Sequence, residues 1–156
     1  MLEIAIPARG MLYLEHLVLD LNGTISLDGQ LIAGIGERLD KLSELLDIWL
    51  VSADTQGTLA SLASSLKVQV RRLQPRDEAA QKAALVEELG VDHTVAIGNG
   101  ANDAAMLRRA ALGIAVLGGE GLAAACLSTA DVIAPDIGTA LDLLLRPRRL
   151  IATLRA

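Results

Sequence analysis

The sequence predicts an α/β fold: a mainly parallel sheet with helices packed on both of its faces. Three observations carry this reading. Short apolar runs alternate with stretches of helical periodicity. Several of those runs are apolar throughout rather than alternating, the pattern of strands covered on both sides. The chain has 156 residues, 52% of them hydrophobic, which is the size of one domain and enough apolar mass for a layered core.

In chain order, residues 1–16 stand apart. Apolar segments 4–6 and 11–18 flank the turn-forming residues 7–10 and predict a β-hairpin extension ahead of the main sheet. Main-sheet strands are expected at 17–19, 48–51, 67–70, 94–97, 112–116 and 131–134, and helices at 34–46, 57–64, 77–89, 102–110, 121–126 and 136–145. Gly90 follows the third helix, where glycine commonly ends one. Asp136, after Pro135, suits the N-cap of the last. Residues 26–34, around Asp28 and Gly29, read as a small flap hairpin. Residues 146–156 form a basic tail carrying Arg146, Arg148, Arg149 and Arg155. Cations near a helix C-terminus account for it through the helix dipole; a docking segment for an acidic partner is the alternative. Arg71 and Arg72 read as a solvated strand end. No repeat or long linker interrupts the chain, so 1–156 is read as a single domain.

Composition excludes several classes. The net charge is -5, with one Trp, one Tyr and no Phe, so neither a phosphate-neutralising surface nor a base-stacking platform for nucleic acid is expected. Apolar stretches are short and broken by glycine, far below the ~18–20 residues a membrane span needs. The first ten residues lack the pattern of an export signal, and Cys126 is the one cysteine, which leaves no internal disulfide framework or multi-cysteine metal site. These features predict a soluble, cytoplasmic chain. The high apolar fraction leans toward a homo-oligomer.

In an open parallel sheet, ligands bind beyond the carboxyl ends of the strands. Four groups fall there. Asp20-Leu21-Asn22-Gly23-Thr24 follows an apolar strand; a strand-end carboxylate can attack phosphorus, and Thr24 can donate to a phosphate oxygen, although Asn-Gly alone suits a plain turn. Ser52 ends the next strand and can bind a phosphate oxygen, yet Ser52, Asp54 and Thr55 all suit a helix N-cap. Lys82 falls within the apolar stripe Ala79, Ala83, Val86, Leu89, so its ammonium needs an anionic partner or a route to solvent. Gly98-Asn99-Gly100-Ala101-Asn102-Asp103 opens a helix and can approach a phosphate or a cation, or be a capped turn. Together a carboxylate, a hydroxyl, an ammonium and a carboxylate–amide pair suit Mg²⁺-assisted phosphoryl transfer.

These residues resemble the four motifs of the haloacid dehalogenase-like superfamily, read here in order as DLNGT, Ser52, Lys82 and GNGAND. The strings VSADTQGT, GNGANDAAML and ADVIAPD, and the terminal RRLIATLR, narrow the likeness to soluble proteins similar to the phosphorylation domain of P-type cation pumps. The resemblance implies a Rossmann-like three-layer sandwich with Asp20 on the central strand. It implies a Mg²⁺-dependent phosphatase in which Asp20 forms an aspartyl-phosphate and Lys82 balances charge. Asn22, Gly23, Thr24, Ser52 and Asn102 would bind the phosphoryl group. The Asp20 carboxylate, the Asn22 main-chain oxygen, Asn99 and Asp103 would hold the ion.

Two departures from the motifs matter. Asn22 stands where the family's phosphatases carry an acid/base aspartate, and an amide cannot shuttle a proton; losing that group typically removes about 10²–10⁴-fold in rate. Asn99 stands where a charged metal ligand is usual. Both predict slow turnover, or, as the alternative, a phospho-ligand-binding or protein-interaction module. Both asparagines precede glycine, a pair prone to deamidation. Neither 25–51 nor 53–81 is long enough for a nucleotide-binding or cap domain, so the expected substrate is a small phosphorylated molecule or a phosphoprotein reaching an open site.

Overall fold

The computed structural model describes residues 1–53 and 58–156. Its centre is a six-stranded parallel sheet. In chain order the strands are β3 (His16–Asp20), β6 (Asp47–Ser52), β7 (Gln69–Arg72), β8 (Thr94–Gly98), β9 (Leu112–Val116) and β10 (Val132–Ala134). In space they run β10-β9-β8-β3-β6-β7, so β3 lies between β8 and β6 in the interior of the sheet. Two short antiparallel hairpins complete the strands: β1 (Leu2–Ile6) with β2 (Gly10–Leu14), and β4 (Ser26–Leu27) with β5 (Gln30–Leu31). The α-helices are α1 (Ile35–Leu42), α2 (Thr58–Ser65), α3 (Glu78–Leu89), α4 (Ala104–Arg109), α5 (Ala124–Leu127), α6 (Ile137–Leu145) and α7 (Pro147–Leu154).

The reason β3 is apolar from Leu17 to Leu19 is visible in the packing. Leu17, Val18 and Leu19 are all fully buried, but successive side chains leave opposite faces. Leu17 and Leu19 join a cluster with Ile48, Leu50, Ile97 and Ile114 from the sheet and Leu39, Leu141 and Leu144 from α1 and α6. Val18 joins a second cluster with Val51, Ala96 and Ala115 and with Leu85, Val86, Met106 and Leu107 from α3 and α4. This is a Rossmann-like three-layer arrangement, and no cap domain stands over it among the described residues. Among those residues no helix is long and apolar enough to cross a membrane.

Several expectations are corrected in detail. The arm expected over 11–18 is two strands: β2 stops at Leu14, because the Glu15 N–H donates to the His93 carbonyl and the Glu15 carbonyl accepts from Asp47 N–H, stitching the hairpin to the amino ends of β8 and β6. The hairpin is no mere appendage, since Ile4, Ile6 and Leu14 are buried in the larger cluster. The helix expected over 34–46 stops at Leu42, and the one expected from 102 starts as a single 3₁₀ turn, Ala101–Asp103. The helix expected over 121–126 shrinks to Ala124–Leu127. The strand expected at 67–70 is shifted to Gln69–Arg72. The tail beyond Arg146 is α7, opened by Pro147 at its first position and buried through Leu150. Asp54, Thr55 and the helix start expected at Gly57 lie outside the described residues.

Candidate active site

The sheet delivers its carboxyl ends to one rim. There β3 ends in Asp20, β6 in Ser52 and β8 in Gly98. The first half of α3 reaches the same rim and carries Lys82 inward, which places the i, i+4 apolar stripe read from the sequence on the buried face. A cleft of 390 Å³ opens there, lined by Asp20, Asn22, Ser52, Lys82, Asn99 and Asn102, all singled out in the sequence, and by Ala53, Glu78, Gly100 and Glu120.

Lys82 is the hub. Its Nζ donates to Asp20 Oδ1 at 2.7 Å and to Asp103 Oδ1 at 2.6 Å, with the lysine 1% exposed. A buried ammonium demands such partners, and here it has two. Burial alone would lower its pKa; the two carboxylates outweigh that and raise it. Burial, with the Asp103 charge added, pushes Asp20 up to about 7 against the pull of Lys82 and the Thr24 hydroxyl.

Asp103 is completely buried and closes the loop after β8. Its Oδ2 accepts the N–H groups of Asn99 and Gly100, each at 2.9 Å. Gly98 makes room for it: a Cβ at that position would lie 2.5 Å from the Asp103 carboxyl carbon. Asn99 is equally committed. Its Nδ2 donates to the Gly121 carbonyl at 3.1 Å, and its Oδ1 accepts from the Thr24 hydroxyl at 3.1 Å. Thr24 also lies 3.3 Å from Asp20 Oδ2. The Asn22 amide faces Ser52 Oγ at 3.5 Å, and Asn102 Nδ2 donates to Glu78 Oε2 at 2.9 Å. Gly23 takes a φ of +78°, and a Cβ there would lie 2.9 Å from Asn99 Nδ2 and 2.8 Å from the Glu120 carboxyl carbon. Asp103 and Thr24 support the cleft from behind rather than line it.

Glu78 and Glu120 were missed from the sequence. A signal existed for Glu78, which stands four residues before Lys82 and so shares its helix face. Glu120 lies in a glycine-flanked loop after β9, where periodicity says nothing.

No protein-family model matches the chain. An uncharacterised protein of Methanocaldococcus jannaschii is 40% identical over 92 residues, which are 56% of this chain and 99% of that protein. A copper-transporting ATPase of Schizosaccharomyces pombe is 30% identical over 131 residues, 76% of this chain but 14% of the pump. The crystal structure of 3-deoxy-D-manno-octulosonate 8-phosphate phosphatase from Moraxella catarrhalis, solved with magnesium, phosphate and KDO, superposes with a TM-score of 0.72 at 19% identity, over 91% of this chain and 94% of that one. The chain has the fold of the haloacid dehalogenase-like phosphatases. It is similar in sequence to part of a P-type pump, and it reaches this fold with only the β4–β5 flap between β3 and α1.

Proposed function

We propose that the chain is a Mg²⁺-dependent phosphoric monoester hydrolase acting through an aspartyl-phosphate on Asp20. The observation that carries this is the buried Asp20–Lys82–Asp103 cluster opening into a cleft at the carboxyl end of an interior strand. Asp20 attacks phosphorus. Lys82, already on Asp20 Oδ1, balances the charge of the phosphoryl group. Ser52, Asn102, Asn22 and the Gly23 turn surround the phosphoryl oxygens, and the Thr24 hydroxyl, behind the cleft, holds Asp20 and Asn99 in place for them.

The residues at the cleft fit a hard cation, because every donor is oxygen: the Asp20 carboxylate, the Asn22 main-chain carbonyl and the Asn99 amide oxygen. When bound, Mg²⁺ supplies charge to hold the phosphoryl oxygens near Asp20. With Asp103 engaged by Lys82 and two backbone amides, its contribution to the ion is to fix the Asn99 loop, or to reach the ion through water. The same reading makes the substrate a small phosphorylated molecule or phosphoprotein in the cytoplasm, with copies of the chain assembling as homo-oligomers and residues 1–156 acting as one catalytic unit.

Hydrolysis of an activated aryl phosphate with Mg²⁺ tests the mechanism. Asp20→Asn is expected to abolish turnover; hydrolysis surviving that change defeats the proposal. A second reading, a phospho-ligand-binding module of little turnover, is favoured by the amides at 22 and 99. Calorimetry with phosphate and Mg²⁺ separates the two, since tight binding without hydrolysis selects the module.

A further inference from the structure

We propose that Glu78 selects the alcohol half of the substrate, and that the cleft takes phosphate monoesters of small amino alcohols, in which a positive charge lies close to the ester oxygen. The inference deepens the reading above and rests on its placement of the phosphoryl group at Asp20 and Lys82.

Position is the first argument. Glu78 opens α3, and Lys82 lies one turn further along on the same face of the helix. At the rise of an α-helix, Glu78 stands about 6 Å from Lys82 along the axis. Burial gives the direction. Lys82 is 1% exposed, while Glu78 is half-buried, and both line the cleft, so Glu78 stands nearer its mouth. A phosphoryl group held at Asp20 and Lys82 sends its ester group outward past Glu78.

The side chain is braced there. Asn102 Nδ2 donates to Glu78 Oε2 at 2.9 Å, which ties one oxygen to the loop after β8. The other oxygen has no hydrogen bond or ion pair with a described residue. The approach to α3 is fixed as well: Gln81 Nε2 donates to the Gln74 and Arg76 carbonyls at 3.0 and 2.7 Å, and Gln81 Oε1 accepts the Gln74 N–H at 2.9 Å. A carboxylate with one oxygen anchored and one open is thus presented at a fixed helix start.

The walls decide what meets it. Among the described residues that line the cleft, Lys82 is the one cation, and it is already bonded to Asp20 and Asp103. The other charged side chains there, Asp20, Glu78 and Glu120, are carboxylates. A second anion on the substrate finds no partner among them and is repelled by Glu78. Ala53 is the one apolar side chain of that lining, so little is gained by burying an aromatic or aliphatic alcohol. An ammonium donates to the open Glu78 oxygen in a charge-assisted hydrogen bond.

Three esters on one two-carbon skeleton test this with Mg²⁺: phosphoethanolamine, 2-hydroxyethyl phosphate and phosphoglycolate, which end in an ammonium, a hydroxyl and a carboxylate. The readout is the ratio of their kcat/KM values in wild type, Glu78→Gln and Glu78→Lys; comparing each variant's ratio with wild type cancels any general loss of activity and the esters' own reactivities. Wild type is expected to favour the ammonium ester and to disfavour the carboxylate one. Glu78→Gln, which keeps an oxygen for Asn102, is expected to cut the ammonium-to-hydroxyl ratio about tenfold, the order of one charge-assisted hydrogen bond. Glu78→Lys is expected to reverse the order of the ammonium and carboxylate esters. A ratio unchanged by Glu78→Gln, or a wild type that prefers the carboxylate ester, overturns the assignment. The aryl phosphate and Asp20→Asn judge the phosphatase reading separately. If wild type hydrolyses no ester at all, that reading falls, and calorimetry with Mg²⁺ decides this one: dissociation constants rising from ammonium to hydroxyl to carboxylate ester support it, and any other order overturns it.

Discussion

Lys82 lies between two carboxylates, and with all three ionised the buried group carries one uncompensated negative charge. Asp20, the more accessible partner, takes up the imbalance and holds its proton up to about pH 7. The folded chain therefore binds a proton that the unfolded chain releases near pH 4, so stability from this group is full below that point and lost as pH rises through about 7. Metal-free protein is expected to melt at progressively lower temperature between pH 5 and pH 8, with the slope flattened in Asp20→Asn; calorimetric scans across that range check it. Lys82→Met removes the hub and leaves two buried carboxylates facing each other, a change expected to cost about 3–5 kcal/mol at pH 8 in urea unfolding. Asn99 makes a less obvious case. Restoring the charged residue usual in this motif should harm the fold, because the Asn99 Nδ2 donates to a carbonyl that an aspartate would repel. Asn99→Asp is expected to lose about 1–3 kcal/mol by the same measurement, and deamidation there would have the same sign.

The elements show how much of this was legible. Interior strands announced themselves because both of their faces are buried, so β3, β6, β8 and β9 read as unbroken apolar runs. Lys82 was legible as an inward lysine because four apolar residues, Ala79, Ala83, Val86 and Leu89, fixed its helix face. The Asp136 cap was legible from Pro135 and appears as its carboxylate accepting the Thr139 N–H at 2.7 Å; Asp136→Ala is expected to cost about 1 kcal/mol in thermal or urea unfolding. What stayed hidden depends on contacts distant in sequence. The stop at Leu14 is set by backbone bonds from Glu15 to residues at 47 and 93, which no local pattern encodes. The placement of Glu120 follows from a glycine at 23 and an amide at 99 meeting in space. The closeness of β9 and α4 also depends on one missing side chain. A Cβ at Gly113 would strike the Leu107 backbone, so Gly113→Ala is expected to destabilise by about 1–3 kcal/mol through forced separation of that helix and strand.

Over the whole molecule, the β1–β2 hairpin and α7 share one layer with α1 and α6. Ile4, Ile6, Leu14 and Leu150 belong to the same buried cluster as the sheet, and Arg9 in the hairpin turn bonds to Asp131 at 2.6 Å, just ahead of β10. The hairpin is thus packed into the same core as the interior strands. Leu14→Ala is expected to cost about 2–5 kcal/mol, the range for large-to-small changes in a packed core, and a loss under 1 kcal/mol in urea unfolding would show the hairpin to be dispensable.

The sheet's outermost strands are short, four residues in β7 and three in β10, and β7 ends in Arg71 and Arg72. Exposed backbone at a sheet margin invites a neighbouring chain to continue the ladder, and brevity with positive charge discourages it. Copies of this chain that associate therefore have reason to meet through helical faces or loops, leaving the ladder closed to growth into fibres.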